Sequence, residues 1–478
     1  MKRTFVTVMP NHIGAFLKAS RCFAQNGINI TRVSYNKAVD SHMLFIDADG
    51  TEEQLNRASD MLSEIGYLQY NDNEKDIILF EFKLRDVCGS LTPVLECINK
   101  FGFNISYISS SANGSEYQYF KMGITADDSS KINAFTKEVK ALCNVRTIDY
   151  NHADKIYDNS VFYTHFVNEL SELMDISDLS QGELLVNTNL AMQQLDESGV
   201  SPYRTFDSIS RFCELLSKAR GSGFNARITE HTITDNTKIT LIEPPCGSNT
   251  AIINSNGSYL FVDTGYACFK DEMTDIFNRL IPNYDSIEKK VFITHADVDH
   301  CGLLHEFDTV YASAESAECL RMEADGNNGY REQNPLHKPY IQICKLLTSY
   351  HPVNSDKVIT VGERPNGHDV LERTGNFDFG ELHFELYQGR GGHLRGESVL
   401  IDYKNRVVFS GDIFVNLKDM TAQQREYNRY APILMTSVDT DPHLCAEERE
   451  AVFSRLGIGN WQIFGGHGGK LTYSLCRE

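Results

Sequence analysis

Hydrophobic and polar positions along the first third of the chain repeat one arrangement twice. An apolar run, Thr4 to Met9 and again Ile77 to Leu84, leads into a polar turn, a glycine, and a stretch with apolar residues at helical spacing. Ile13, Phe16, Leu17 and Phe23 form one stripe and Leu91, Val94, Leu95 and Ile98 the other, each on one face of a predicted helix. Gly27 and Gly102 end these helices, and Ile28-Asn29-Ile30 and Phe103-Asn104-Ile105 begin new strands. Gly14 and Gly89, Gly27 and Gly102, and Asn29 and Asn104 all lie 75 residues apart, which indicates duplication. Strands near 42–47 and 117–125, helices near 51–65 and 128–143, and short closing strands complete a β-α-β-β-α-β order twice. The expectation is two ferredoxin-like modules, over 1–74 and 75–152.

The next segment, 153–224, reads as a helical connector. Phe162, Phe166, Leu170 and Leu173, then Phe206, Ile209, Phe212 and Leu216, make apolar stripes in three helical stretches punctuated by Gly182, Gly199 and Gly221. No residue cluster there suggests chemistry. The remaining residues, 225–478, hold the candidate site.

Directly after the apolar run Val291-Phe292-Ile293 come Thr294-His295-Ala296-Asp297-Val298-Asp299-His300. A buried strand that ends in His, Asp, Asp and His within six residues places four metal-ligand side chains on one turn, which points to a dinuclear metal centre. Three later segments each put one ligand beside glycines: Gly391-Gly392-His393, Phe409-Ser410-Gly411-Asp412, and Phe464-Gly465-Gly466-His467-Gly468-Gly469. Glycine allows close backbone approach, so a single ligand is aimed into a crowded site from a strand end.

Together with Phe261-Val262-Asp263-Thr264-Gly265 ahead of the cluster, this ordered set resembles the metallo-β-lactamase fold superfamily over roughly residues 225 to 478. The resemblance implies an αββα sandwich with two metals at one sheet edge, bridged by water or hydroxide. It further implies that one metal takes His295, Asp297 and His393, that the other takes Asp299, His300 and His467, and that Asp412 bridges them, with Asp263 a support rather than a ligand. Position 297 departs from the hydrolase branch, which usually has histidine there. Asp297, Asp299, Asp412 and a bridging hydroxide would balance two divalent ions, and such an oxygen-rich shell suits iron or manganese as well as zinc.

Two chemistries follow. In a metallohydrolase the metals polarise a carbonyl or phosphoryl oxygen, and Asp299 or Asp412 handles the proton. Arg395, Lys470 and Tyr473 lie near ligands in sequence and are candidate contacts to an anionic substrate, each with a plain packing role as its alternative. The rival is a flavodiiron-like protein that binds or reduces dioxygen, a branch that also carries a carboxylate at this position, although the flavin module of that branch has no counterpart here. A third reading is a sensor whose metal domain no longer turns over. Residues near 313–380 form a long excursion expected to cover the metal edge and select substrate; His337, His351 and His368 within it read as surface residues.

The turns Asn11-His12-Ile13-Gly14 and Asp86-Val87-Cys88-Gly89 resemble the strand-to-helix turn of ACT domains, modules that bind amino acids and regulate an attached enzyme. On that resemblance Asn11, Gly14, Asn29, Asp86, Gly89 and Asn104 are the candidate effector contacts, because backbone groups at a helix start suit a carboxylate. The alternative for each is a cap or turn role.

Composition narrows the setting. With 478 residues, 41% of them hydrophobic and 23% charged, the chain has material for several cores. A formal net charge of −20 argues against a nucleic-acid binder, and no apolar run approaches the ~18 residues needed to span a bilayer. The 12 cysteines are scattered without a Cys-x-x-Cys, as suits reduced thiols; Cys301, beside His300, reads as a small buried hydrophobe, with tuning of the site or oxidation as its alternative. The expectation is a cytoplasmic homo-oligomer acting on a small molecule, with two Zn, Fe or Mn ions per chain, an amino-acid effector, and no membrane partner.

Overall fold

The structure is a computed structural model that describes residues 2–10, 13–36, 43–65, 77–111, 117–125, 131–148, 162–198, 202–434 and 438–476. The chain separates into two compact units, one of residues 1–169 with 181–200 and one of 170–180 with 201–478.

The first unit contains β1 (Lys2–Val8), α1 (Ala15–Gln25), β2 (Asn29–Asn36), β3 (Met43–Asp49), α2 (Glu52–Glu64), β4 (Ile77–Arg85), α3 (Thr92–Lys100), β5 (Asn104–Ser111), β6 (Tyr117–Thr125), α4 (Ile132–Leu142) and β7 (Asn144–Ile148). These strands form one sheet in the order β1-β3-β2-β5-β6-β4-β7, in which the two repeats meet edge to edge through the antiparallel β2 and β5. The closing strand expected near the end of the first repeat falls on 66–76, outside the described residues. Phe16, Leu17 and Phe23 of α1 and Val94, Leu95 and Ile98 of α3 are buried in one core, together with Leu91. Ile13 departs from the expected stripe and is 44% exposed. Gly14, at φ 78°, opens α1 only at Ala15, so Ile13 sits on the turn before the helix rather than on its inner face.

Three helices follow, α5 (Phe162–Met174), α6 (Asp178–Glu197) and α7 (Pro202–Lys218), and the segment expected as a separate connector is shared between the two units. Gly182 lies inside α6 rather than between helices. A glycine there costs only about 1 kcal/mol relative to alanine, which a 20-residue helix absorbs. Gly199 lies outside the described residues. Phe206, Ile209, Phe212 and Leu216 of α7 are all buried.

The second unit continues with β8 (Arg227–Thr232), β9 (Thr237–Glu243), β10 (Thr250–Ser255), β11 (Ser258–Val262), α8 (Lys270–Leu280), β12 (Lys290–Phe292), β13 (Thr309–Ala312), α9 (Ala314–Ala324), α10 (Lys338–Leu347) and β14 (Val358–Thr360). Then come β15 (Leu371–Phe379), β16 (Leu382–Gly389), β17 (Ser398–Asp402), β18 (Val407–Gly411), α11 (Ala422–Tyr427), α12 (Ala431–Leu434), α13 (Pro442–Arg455), β19 (Gly459–Gly465) and β20 (Leu471–Leu475). They build two sheets, β14-β13-β12-β11-β10-β9-β8 and β15-β16-β17-β18-β19-β20. Ile239, Ile253, Val262 and Phe292 of the first interlock with Leu382, Leu400, Phe409 and Phe464 of the second. Helices cover the outer faces: Phe277 of α8 meets Phe261 edge-on at 5.0 Å, and Val452 of α13 packs with Val399, Ile401 and Ile463.

Strand direction decides where the chemistry collects. β11 and β12 are parallel, β18 and β19 are parallel, and β16 runs with β18 because both pair antiparallel to β17. Parallel neighbours end on the same side, so the segments that leave these five strands emerge at one edge.

Candidate metal centre

Each expected ligand follows one of those strand ends: His295, Asp297, Asp299 and His300 after β12, His393 after β16, Asp412 after β18 and His467 after β19. The backbone after β12 turns at once, with His300 and Cys301 N–H groups donating to the Asp297 carbonyl, which gathers four ligands around one turn. All seven come together. Three groups among the described residues have ligand atoms within 4.8 Å of one another: His295, His300 and Asp412; His295, Asp297 and His393; and Asp299, His300 and His467.

Three of the imidazoles are held from behind by their Nδ1. His295 Nδ1 lies 3.0 Å from Thr294 Oγ1, His300 Nδ1 2.9 Å from Asp263 Oδ2, and His393 Nδ1 2.9 Å from Asp439 Oδ1. Such partners fix the ring and leave Nε2 free to ligate. Asp263, at φ 56°, also accepts the Thr294 N–H and hydroxyl, both at 2.8 Å, so it braces the whole turn from behind His300. Glu397 accepts the N–H groups of Asp412 and Ile413, and Glu448 those of Gly391 and Gly392, which orients the loops bearing Asp412 and His393.

The inner faces are left unsatisfied. His295 Nε2, His300 Nε2 and Asp412 Oδ1 are buried without a hydrogen-bond partner, and an unpaired buried polar atom costs about 1–3 kcal/mol. His300 Nε2 lies 3.5 Å from Asp412 Oδ1, and His467 Nε2 lies 3.3 Å from both Asp299 Oδ2 and Asp412 Oδ2. Ligands about 2.1 Å from a tetrahedral ion are about 3.4 Å apart, so these spacings suit a cation. Gly466 allows it, since a Cβ there would run into Asp412 Oδ1 and the His300 ring.

Electrostatics points the same way. Burial, with His300 and His393 nearby, pushes the His295 imidazolium well down. Burial alone would also lower His300, but Asp263, Asp299 and Asp412 outweigh it and push His300 well up. His467 likewise rises to about 10 against its own burial, driven chiefly by Asp412 and Asp299. Without metal, protons balance these carboxylates; a bound cation would displace them. Asp263→Asn is expected to weaken metal affinity by about 10–100-fold, because His300 loses its charged partner. Competition with a chromophoric chelator measures this, and unchanged affinity would remove Asp263 from the role.

One participant had no sequence signal. Arg331, from a 3₁₀ turn between α9 and α10, is buried with Nη2 at 2.6 Å and Nε at 2.7 Å from Asp297 Oδ2. Nη2 also lies 3.3 Å from His393 Nε2 and 3.0 Å from the Val438 carbonyl. The other Asp297 oxygen accepts the Val298 N–H at 2.9 Å. The turn is clamped from within the excursion: Lys345 Nζ bridges Glu323 and Glu332, Tyr350 donates to Glu323, and Gln342 donates to Glu332. Asp439 was also missed, being 46 residues from the histidine it holds.

The other candidates scatter. Arg395 is tied to Glu315 at 2.7 Å and lies over the Tyr330 ring, and Tyr473 packs edge-on against Phe453. His337, His351 and His368 join none of the metal-binding groups. In the first unit Gly14 and Asn104 line one small cleft with Met9, Leu95 and Asn99. Gly14 is pressed there by α3, because a Cβ would come 2.6 Å from Asn99 Oδ1. Asn29 donates to Asp86 at 3.0 Å, Gly89 sits in an open turn at φ 80°, and Asn11 lies outside the described residues.

Residues 244–424 match the metallo-beta-lactamase superfamily. The metallo-beta-lactamase match spans β10 to α11 and includes every proposed ligand except His467. Among solved structures the chain is similar to a peroxy diiron species of the chemotaxis sensor ODP, at 14% identity and TM-score 0.32, over 52% of this chain and 89% of that one. It is also similar to BLEG-1 B3 metallo-beta-lactamase, at 17% identity and TM-score 0.29, over 49% and 93%. A third similarity is to aspartate kinase from Synechocystis, at 16% identity and TM-score 0.25, over 31% and 28%. No curated protein matches the chain. No helix among the described residues is long and apolar enough to cross a membrane.

Proposed function

We propose that the metallo-beta-lactamase domain is a metal-dependent hydrolase of a small-molecule ester or phosphodiester, and that the amino-terminal repeat is a pair of ACT-like modules binding an amino acid that regulates it. The observation that carries the hydrolase reading is the convergence of His295, His300 and Asp412 in one group, with His295 Nε2, His300 Nε2 and Asp412 Oδ1 all buried and lacking a hydrogen-bond partner. A bound divalent ion would polarise the scissile carbonyl or phosphoryl oxygen and lower the pKa of the attacking water. The protein's part is to hold that geometry. Asp263, Thr294 and Asp439 fix the imidazoles, Glu397 fixes Asp412, and Asp299 or Asp412 takes up the proton at a carboxylate oxygen. The excursion over α9 and α10 selects the substrate.

The second reading, dioxygen chemistry, rests on Asp297 as an additional carboxylate for iron in the group of His295, Asp297 and His393; in the structure Asp297 also pairs with Arg331.

The test is turnover of ester and phosphodiester panels by the full chain loaded in turn with zinc, manganese and iron. Hydrolysis lost on chelation supports the reading; stoichiometric metal with no turnover across the panel leaves a sensor. For the regulatory part, calorimetric titration with individual amino acids should give saturable binding that shifts turnover. Heat-silent titrations across the standard set would remove the effector.

A further inference from the structure

The superfamily match implies a dinuclear centre, yet half of that centre is already engaged by a protein cation. We infer that the Arg331 guanidinium stands in place of the second metal, so that the chain binds one divalent ion, on His295, His300 and Asp412 with Asp299 and His467 alongside. The inference rests on the metal-dependent reading and goes beyond it in number and place.

Four observations carry it. His393 turns its Nδ1 to Asp439 and presents Nε2 to Arg331 Nη2 at 3.3 Å. An ion about 2.1 Å from that Nε2 would fall inside the contact distance of the guanidinium nitrogen. Both oxygens of Asp297 are committed, one to Arg331 at 2.6 and 2.7 Å and one to the Val298 N–H at 2.9 Å. The group of His295, Asp297 and His393 therefore has two of its three members turned to Arg331.

Arg331 is also anchored independently of the ligands. It donates to the Val438 carbonyl, and the next residue, Glu332, is 3% exposed and locked to Lys345, Gln342 and the Gly329 N–H. The Glu332 network fixes the backbone that carries Arg331, and the Val438 carbonyl holds the guanidinium itself. Finally, of the two groups that remain, His295, His300 and Asp412 is the one with a buried atom lacking a hydrogen-bond partner on every member, His295 Nε2, His300 Nε2 and Asp412 Oδ1.

With a neutral water on the ion, the three negative charges of Asp297, Asp299 and Asp412 balance one divalent ion and one guanidinium. Two divalent ions with a bridging hydroxide beside Arg331 would leave one positive charge in excess.

The test is metal stoichiometry, read by elemental analysis and native mass spectrometry of the full chain reconstituted with excess zinc or manganese and then desalted. The expected result is one ion per chain in the wild type and two in Arg331→Ala, where the second ion replaces the lost charge beside Asp297. Arg331→Gln, which keeps bulk and hydrogen-bonding capacity, serves if the alanine variant shows a disrupted circular dichroism spectrum. Two ions in the wild type would overturn the inference, as would one ion in wild type and variants alike. No ion in any of them would overturn the metal-dependent reading itself, a separable failure.

Discussion

Lys345→Met is expected to destabilise the second unit by about 3–5 kcal/mol, the cost of breaking a buried ion pair by removing one partner. Lys345 Nζ lies 2.7 Å from Glu323 and 2.9 Å from Glu332, and both carboxylates are nearly buried. Burial alone would lower the ammonium, but Glu323 and Glu332 hold it charged. Methionine keeps the stem and leaves two carboxylates facing each other in a dry pocket. For a unit of this size the loss corresponds to a fall of roughly 5–8 °C in the melting transition. Replacing Glu323 and Glu332 by leucine in the same chain should recover most of it, because the uncompensated charges are gone. A shift of only a degree or two in the single variant would mean the cluster is solvated and does not clamp the Arg331 turn.

Asp412→Asn should lower hydrolysis and metal affinity by more than about 100-fold, beyond what losing a partner behind a ligand costs. Asp412 reaches His300 at 3.5 Å, His467 at 3.3 Å and His393 at 3.6 Å, so its carboxylate is common to the whole centre. The amide has nearly the same volume but no charge, and one of its two arms turns N–H donors toward a cation. The fold should survive, since Glu397 is held by the backbone N–H of residue 412 rather than by the side chain. Chelator competition together with turnover measures both losses. Wild-type affinity in a folded Asp412→Asn chain would take the residue out of the centre.

What could be read from the chain was local or periodic. The stripes of α1 and α3 followed from helical spacing, and the clustering of His295, Asp297, Asp299 and His300 from their position on one turn behind a buried strand. Errors came where one feature was asked to stand for its surroundings. Ile13 fitted the stripe by spacing, but the positive φ of Gly14 starts the helix two residues later. Gly182 looked like a break and is a tolerated position within α6.

The sequence by itself therefore determined the duplication, the apolar strands, and the candidate ligand residues with their glycine-flanked turns, because each is written within a few residues. Only the tertiary structure decided which cation faces Asp297. Arg331 lies 34 residues from Asp297 and 62 from His393, and a solitary arginine at those separations follows no periodicity and belongs to no motif. Its position comes from parallel strands that end on one side, and from a buried Lys345 that pins the turn beside it, both properties of the assembled fold.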